Sequence, residues 1–160
     1  MLNVTIACMG KLKEAYWRDA CTEYAKRLQG FCKLNILQLD EVRLPDNPSE
    51  AQIASALKTE GERLLSHVPA GAAVIALCIE GKELSSTQLS EQLTKWTVDG
   101  VSHVVLIIGS SFGLSDEVKR AAKLRLSMSP MTFPHQLARV MLLEQVYRAL
   151  QIAAGGKYHK

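Results

Sequence analysis

The chain of 160 residues has no C-x-x-C pair, no H-x-x-x-H pair and no apolar run near the length of a membrane span. Its four cysteines, Cys8, Cys21, Cys32 and Cys78, are scattered, which excludes the usual zinc spacings. Cys8 and Cys78 fall in apolar, strand-like runs and read as small core hydrophobes of a reduced, cytoplasmic protein. The four histidines add no ligand pattern, so no metal is expected. The longest apolar stretches, 72–79 and 104–108, fall far short of the roughly 20 residues a bilayer requires, so no membrane partner is expected. The N-terminus enters an apolar run with no basic flank and no small-residue cleavage site, so no signal peptide is expected. Repeats, linkers and low-complexity tracts are absent. At 48% hydrophobic and 22% charged residues, the composition is that of a globular protein, and a single domain over residues 1–160 is expected.

The charge is unevenly placed. Residues 118–160 hold Lys119, Arg120, Lys123, Arg125, Arg139, Arg148, Lys157 and Lys160 against Glu144 alone, while the preceding residues are net negative. A basic end of this kind suits a polyanion, nucleic acid first, or forms a solvated helix face.

Strand and helix patterns alternate along the chain. Strands are predicted at 3–8, 34–39, 73–79, 103–108 and 124–128. Helices are predicted at 14–28, from Ser49 to about 65, from Ser85 through Trp96, a short one after Ser115, and from Pro134 to about 154. Ser49 with Gln52 and Ser85 with Gln88 have the spacing of capping boxes. Gly30 is expected to end the first helix. Leu137, Val140, Met141, Glu144, Tyr147 and Leu150 fall in register on the last one. This alternation predicts an α/β fold with a mainly parallel sheet and flanking helices, which binds ligands beyond the carboxyl ends of its strands.

The loops at those ends lack the common fingerprints. The first, Met9-Gly10-Lys11-Leu12, has no G-x-G-x-x-G, which argues against a nicotinamide- or flavin-using oxidoreductase. Gly109-Ser110-Ser111-Phe112-Gly113 is neither a phosphate loop nor a nucleophile elbow, but its glycines permit close approach of a ligand to the backbone. The stretch Ser127–Pro134 is as apolar as a core, yet carries two prolines and no period. It is either an ordinary connection over the core or a loop offering backbone hydrogen bonds to an adenine edge and apolar side chains to its faces. His135 and Arg139, four apart on the last helix, are neighbours beside that loop.

Several segments together resemble the RlmH-type methyltransferases of the SPOUT superfamily. They are Met9-Gly10-Lys11-Leu12-Lys13-Glu14 with Tyr16-Trp17, Glu80-Gly81-Lys82 with Leu84-Ser85-Ser86, and Ile107-Ile108-Gly109 with Gly113-Leu114-Ser115. Met131-Thr132-Phe133-Pro134-His135-Gln136, Arg139, Glu144-Gln145-Val146-Tyr147-Arg148-Ala149 and the terminal Tyr158-His159-Lys160 complete the set, so the resemblance runs end to end. It implies a deep trefoil knot in the C-terminal part, a homodimer, and S-adenosyl-L-methionine as cofactor. The implied reaction is methylation of N3 of a pseudouridine in a stem-loop of bacterial 23S ribosomal RNA. The implied cofactor residues are Leu77, Gly109, Met128, Ser129, Pro130, Met131, Thr132 and Phe133. Where the family has Gly-Gly at 109–110, this chain has Ser110. If that position needs a positive φ, serine costs about 1 kcal/mol or more, and weaker cofactor affinity or a small loop shift is expected.

The resemblance also sets the chemical problem. N3 of pseudouridine is an imide nitrogen, protonated at neutral pH, and must lose its proton to become nucleophilic. His135, Arg139, Tyr158 and His159 are the candidate catalytic residues; solvent is an alternative proton acceptor. Gly155-Gly156 is expected to stop the last helix and to act as a flexible hinge that lets Tyr158 and His159 reach the partner subunit's pocket. A Gly109→Val change is expected to abolish cofactor binding while leaving the fold mostly intact. A non-catalytic ribosome- or RNA-binding module of the same fold is the alternative function.

Overall fold

The computed structural model describes residues 1–160. Five strands alternate with five helices: β1 (Asn3–Met9), α1 (Ala15–Leu28), β2 (Lys33–Leu39), α2 (Glu50–Ser66), β3 (Ala73–Glu83), α3 (Ser86–Val98), β4 (His103–Ile108), α4 (Asp116–Ala121), β5 (Leu124–Ser127) and α5 (His135–Ala153). The strands form one sheet in the order β2-β1-β4-β3-β5, and every pairing is parallel.

Side-chain alternation divides the core between the two sheet faces. Val4, Ile6 and Cys8 of β1, with Val104, Leu106 and Ile108 of β4, pack under α1, α3 and α5. Ala7 and Met9, with Val105 and Ile107, pack under α2 and α4. Both predicted capping boxes are formed, at Ser49–Gln52 and Ser85–Gln88, and the Ser115 side chain caps α4 by accepting from Val118 N–H.

Four features depart from the sequence reading. Gly30 is not a left-handed cap, since it is absent from the glycines at positive φ; α1 ends at Gln29 in right-handed geometry. The strand expected to stop at residue 79 runs on to Glu83. Leu126 of β5 pairs first with Leu77 and then with Lys82, so Cys78, Ile79, Glu80 and Gly81 bulge out between the two pairings. Gly81 makes the return possible: a Cβ there would lie 2.7–2.8 Å from backbone atoms of Arg125, Leu126 and Ser127.

The buried stripe of α5 is Arg139, Leu142, Leu143, Val146 and Ala149. The expected set, Leu137 through Leu150, is half-buried. This helix is apolar on most of its circumference, so periodicity alone does not say which flank meets the sheet. Finally, Gly155-Gly156 stops α5 as expected, but backbone bonds hold it and it is no free hinge. Gly155, at φ +72°, donates to the Ile152 carbonyl, and Gly156 donates to that of Gln151. These are the two bonds of a Schellman motif.

Candidate active site

A cleft of about 300 Å³ opens at the carboxyl ends of β3, β4 and β5. Three short stretches wall it: the bulge with Cys78, Ile79 and Glu80, the turn from Gly109 to Gly113, and the loop that follows β5. Parallel strands leave their last carbonyls and the succeeding loops at one edge, which is why the cleft forms there.

The turn is closely built. Gly113, at φ +91°, donates its N–H to the Ser110 carbonyl at 2.8 Å. A Cβ on Gly109 would collide with the Gly113 carbonyl oxygen. Glycine is thus required at 109 by the turn itself, and Gly109→Val would distort the turn before any ligand arrived. Ser110 is not at positive φ, so serine carries no backbone strain there. Its hydroxyl donates to Glu60 Oε1 at 2.9 Å.

The loop 128–133 lies on the surface rather than in the core, and Met131 is 75% exposed. No backbone–backbone hydrogen bond involves these residues. Two local bonds shape the loop: Ser127 Oγ donates to the Ser129 carbonyl at 3.1 Å, and Met131 N–H donates to Ser129 Oγ at 3.0 Å. The remaining backbone groups are free to bind a ligand.

Of the expected cofactor residues, Leu77, Gly109, Met128, Ser129, Met131, Thr132 and Phe133 line the cleft, whereas Pro130 does not. Four expected catalytic residues divide differently. His135 lines the cleft from the first turn of α5. Arg139, one turn later, is buried beneath the β1–α1 loop and donates to the Gly10 carbonyl and Gln38 Oε1. Tyr158 and His159 pack against α5 of their own chain. The Tyr158 hydroxyl donates to Glu144 Oε1 at 3.0 Å, its ring packs edge-on against Tyr147, and the Arg148 guanidinium lies over it at 4.5 Å. His159 Nδ1 is 3.2 Å from Arg148 Nη1. Burial, and next the hydrogen bond to Glu144, push the Tyr158 phenol above its usual range.

Sequence reasoning missed Lys119 as part of this site. Its ammonium pairs with Glu80 across the cleft, and this hydrogen bond holds the Glu80 carboxyl below its usual range. Lys119 is thus a wall residue rather than a member of a free basic face. The sequence signal was present, because Lys119 sits in the last turn of a helix only six residues long that must pack at the strand ends.

Residues 2–159 match a family model described as "Predicted SPOUT methyltransferase". The chain belongs to the SPOUT methyltransferase family. It is 50% identical to a ribosomal RNA large subunit methyltransferase H of Clostridium novyi and 48% identical to one of Bifidobacterium animalis subsp. lactis; each alignment covers 99% of this chain and 100% of the relative. A probable methylase family protein of Haemophilus influenzae shares the fold at a TM-score of 0.55 and 13% identity, covering 99% of this chain and 71% of that one. A putative methyltransferase of Legionella pneumophila, solved with bound SAM, does so at 0.50 and 17%, covering 95% and 66%.

Proposed function

We propose that this SPOUT methyltransferase acts on bacterial 23S ribosomal RNA, at N3 of a pseudouridine, with S-adenosyl-L-methionine held in the cleft beyond β3, β4 and β5. The observation that carries the reading is the wall at 128–133: an apolar loop whose backbone has no backbone partner, facing a cleft. The free N–H and C=O groups suit an adenine edge, and Leu77, Met128 and Phe133 suit its faces. Glu80, the one carboxylate among the lining residues, is paired with Lys119 at the same wall. The names of the full-length relatives support ribosomal RNA as substrate, and with it a cytoplasmic location. No helix is long and apolar enough to cross a membrane.

S-adenosyl-L-methionine supplies a methyl group made electrophilic by its sulfonium. This chain's residues must place N3 in line with that methyl and accommodate the N3 proton. His135 has the position for this role, as the only expected catalytic side chain that lines the cleft. Tyr158, whose hydroxyl donates to Glu144, suits an orienting role rather than that of a base.

We infer that Tyr158 and His159 serve the cleft of a second copy. In the homodimer we infer, the half-buried apolar flank of α5, with Leu137, Val140 and Met141, packs on its own copy about a two-fold axis. The tail anchored on Glu144 and Arg148 then covers the partner's cleft. The superfamily's trefoil knot belongs to the same reading: α5 leaves the edge strand β5 yet packs with both α1 and α3.

Calorimetric titration with S-adenosylmethionine, NAD and FMN tests the site. Only the first is expected to bind, and at 100 times its dissociation constant it should stabilise the protein by about 2.7 kcal/mol. Thr132→Trp, which fills the cleft from an exposed loop position, should abolish binding while leaving the unliganded melting temperature nearly unchanged. Binding of NAD or FMN alone would overturn the reading.

A further inference from the structure

Glu60 is a buried carboxylate in the middle of α2, only 4% exposed. It falls on the helix's apolar stripe with Ile53, Leu57 and Leu64, where a charge is costly unless hydrogen-bonded. It makes no salt bridge. Instead, Oε1 accepts from Ser110 Oγ and Oε2 accepts from Val42 N–H, both at 2.9 Å. One side chain thus ties α2 to the turn after β4 and to the segment after β2. The neighbouring Gly61 brings α2 close to the start of α4, since a Cβ there would collide with Ser115 Oγ. Consecutive residues of α2 therefore hold both ends of the stretch 110–115, the wall of the cleft facing the loop 128–133.

We propose that Glu60 is a positioning residue for the methyl-donor site. Through the Ser110 hydroxyl it fixes the 109–113 turn in the shape that receives the cofactor. Ser110 supplies the hydroxyl that makes this direct link. The proposal rests on the reading that this cleft holds S-adenosylmethionine.

The test is a double-mutant cycle read on cofactor dissociation constant, with KM and kcat measured alongside. Losing a hydrogen bond to a charged group makes the expected rise in Kd and KM about tenfold for Glu60→Ala and several-fold for Ser110→Ala. The rate at saturating cofactor should change far less than KM. The double variant should bind no more weakly than Glu60→Ala alone. Glu60→Gln should largely restore affinity, because its amide oxygen can accept from Val42 N–H while its NH2 donates to Ser110 Oγ. A purely structural Glu60 would lower the melting temperature in Glu60→Ala but leave Kd unchanged, and that result overturns the proposal, as does simple additivity in the cycle. Should Glu60→Ala not fold, Ser110→Ala decides, and an unchanged Kd there counts against the idea. Thr132→Trp separates the two levels. If it fails to weaken binding, the cleft assignment itself is wrong; if it abolishes binding while Glu60→Ala and Ser110→Ala do nothing, only the positioning role is lost.

Discussion

Arg139 Nη2 donates to the carbonyl oxygen of Gly10 at 3.1 Å, joining residues 129 apart in the chain. Gly10, at φ +85°, also donates its N–H to the Leu39 carbonyl, and Arg139 Nη1 donates to Gln38 Oε1 at 2.8 Å. Arg139 is 2% exposed; its guanidinium has no carboxylate partner, and its Nε makes no hydrogen bond. It locks α5 to the ends of β1 and β2. Arg139→Ala should destabilise the fold by about 2–4 kcal/mol through a cavity and two orphaned acceptors. Arg139→Met, which fills the space, should cost less. Denaturant melts measure both. Equal losses would show that packing plays no part.

Alkaline stability should report the buried thiols. Burial pushes Cys8 and Cys32 from the ordinary 9.0 to about 11. Between those values the unfolded chain has released protons that the folded chain keeps, so stability falls as pH rises from about 9 towards 11, by about 1.4 kcal/mol per unit for each thiol at most. Cys8→Ala should flatten this slope whatever its effect at neutral pH. Urea melts at several pH values check it; an unchanged slope would contradict the assignment.

Much of the scaffold was legible because local chemistry agrees with it. Ser49, Ser85 and Ser115 mark their helix starts, and the unbroken apolar run of β4 announces a strand covered on both faces. The apolar loop 128–133 and the glycine at 109 pointed to the cleft before its walls were known. The bulge at 78–81 was not legible, since its signal lies in the close approach of Gly81 to a strand more than 40 residues away. The stop at Gly155-Gly156 was legible from the two glycines, whereas the bonds to Ile152 and Gln151 that take away its freedom as a hinge were not. Glu60 left one sequence mark, a charge on the apolar face of α2, but nothing local names Ser110 and Val42 as its partners.

RNA binding should depend steeply on salt, because phosphate contacts by Lys and Arg release counterions. Arg120 and Arg125 are exposed, whereas Lys119 pairs with Glu80 and Lys123 lies over Trp96. Arg120→Glu with Arg125→Glu should therefore weaken ribosome binding and reduce its salt slope without altering cofactor affinity. A slope unchanged by both substitutions would assign this face to solvent.

Deleting residues 157–160 should leave the dimer and cofactor binding nearly intact while strongly reducing methyl transfer. A mixed dimer then decides how the tail acts. One chain lacks the tail and the other carries Thr132→Trp. Action on the partner's cleft leaves the tail-less chain's site complete and active. Action within one chain leaves no complete site, and a dead mixed dimer would refute the arrangement.

The central claim is tested most directly by methyl transfer from labelled S-adenosylmethionine to ribosomes from a strain lacking this methyltransferase, with the product mapped to the nucleotide. The account predicts one methyl group on N3 of a pseudouridine in a 23S stem-loop, lost with Thr132→Trp. Ribosome binding without transfer would instead describe a non-catalytic module, and a methyl group on any other atom would contradict the proposed chemistry.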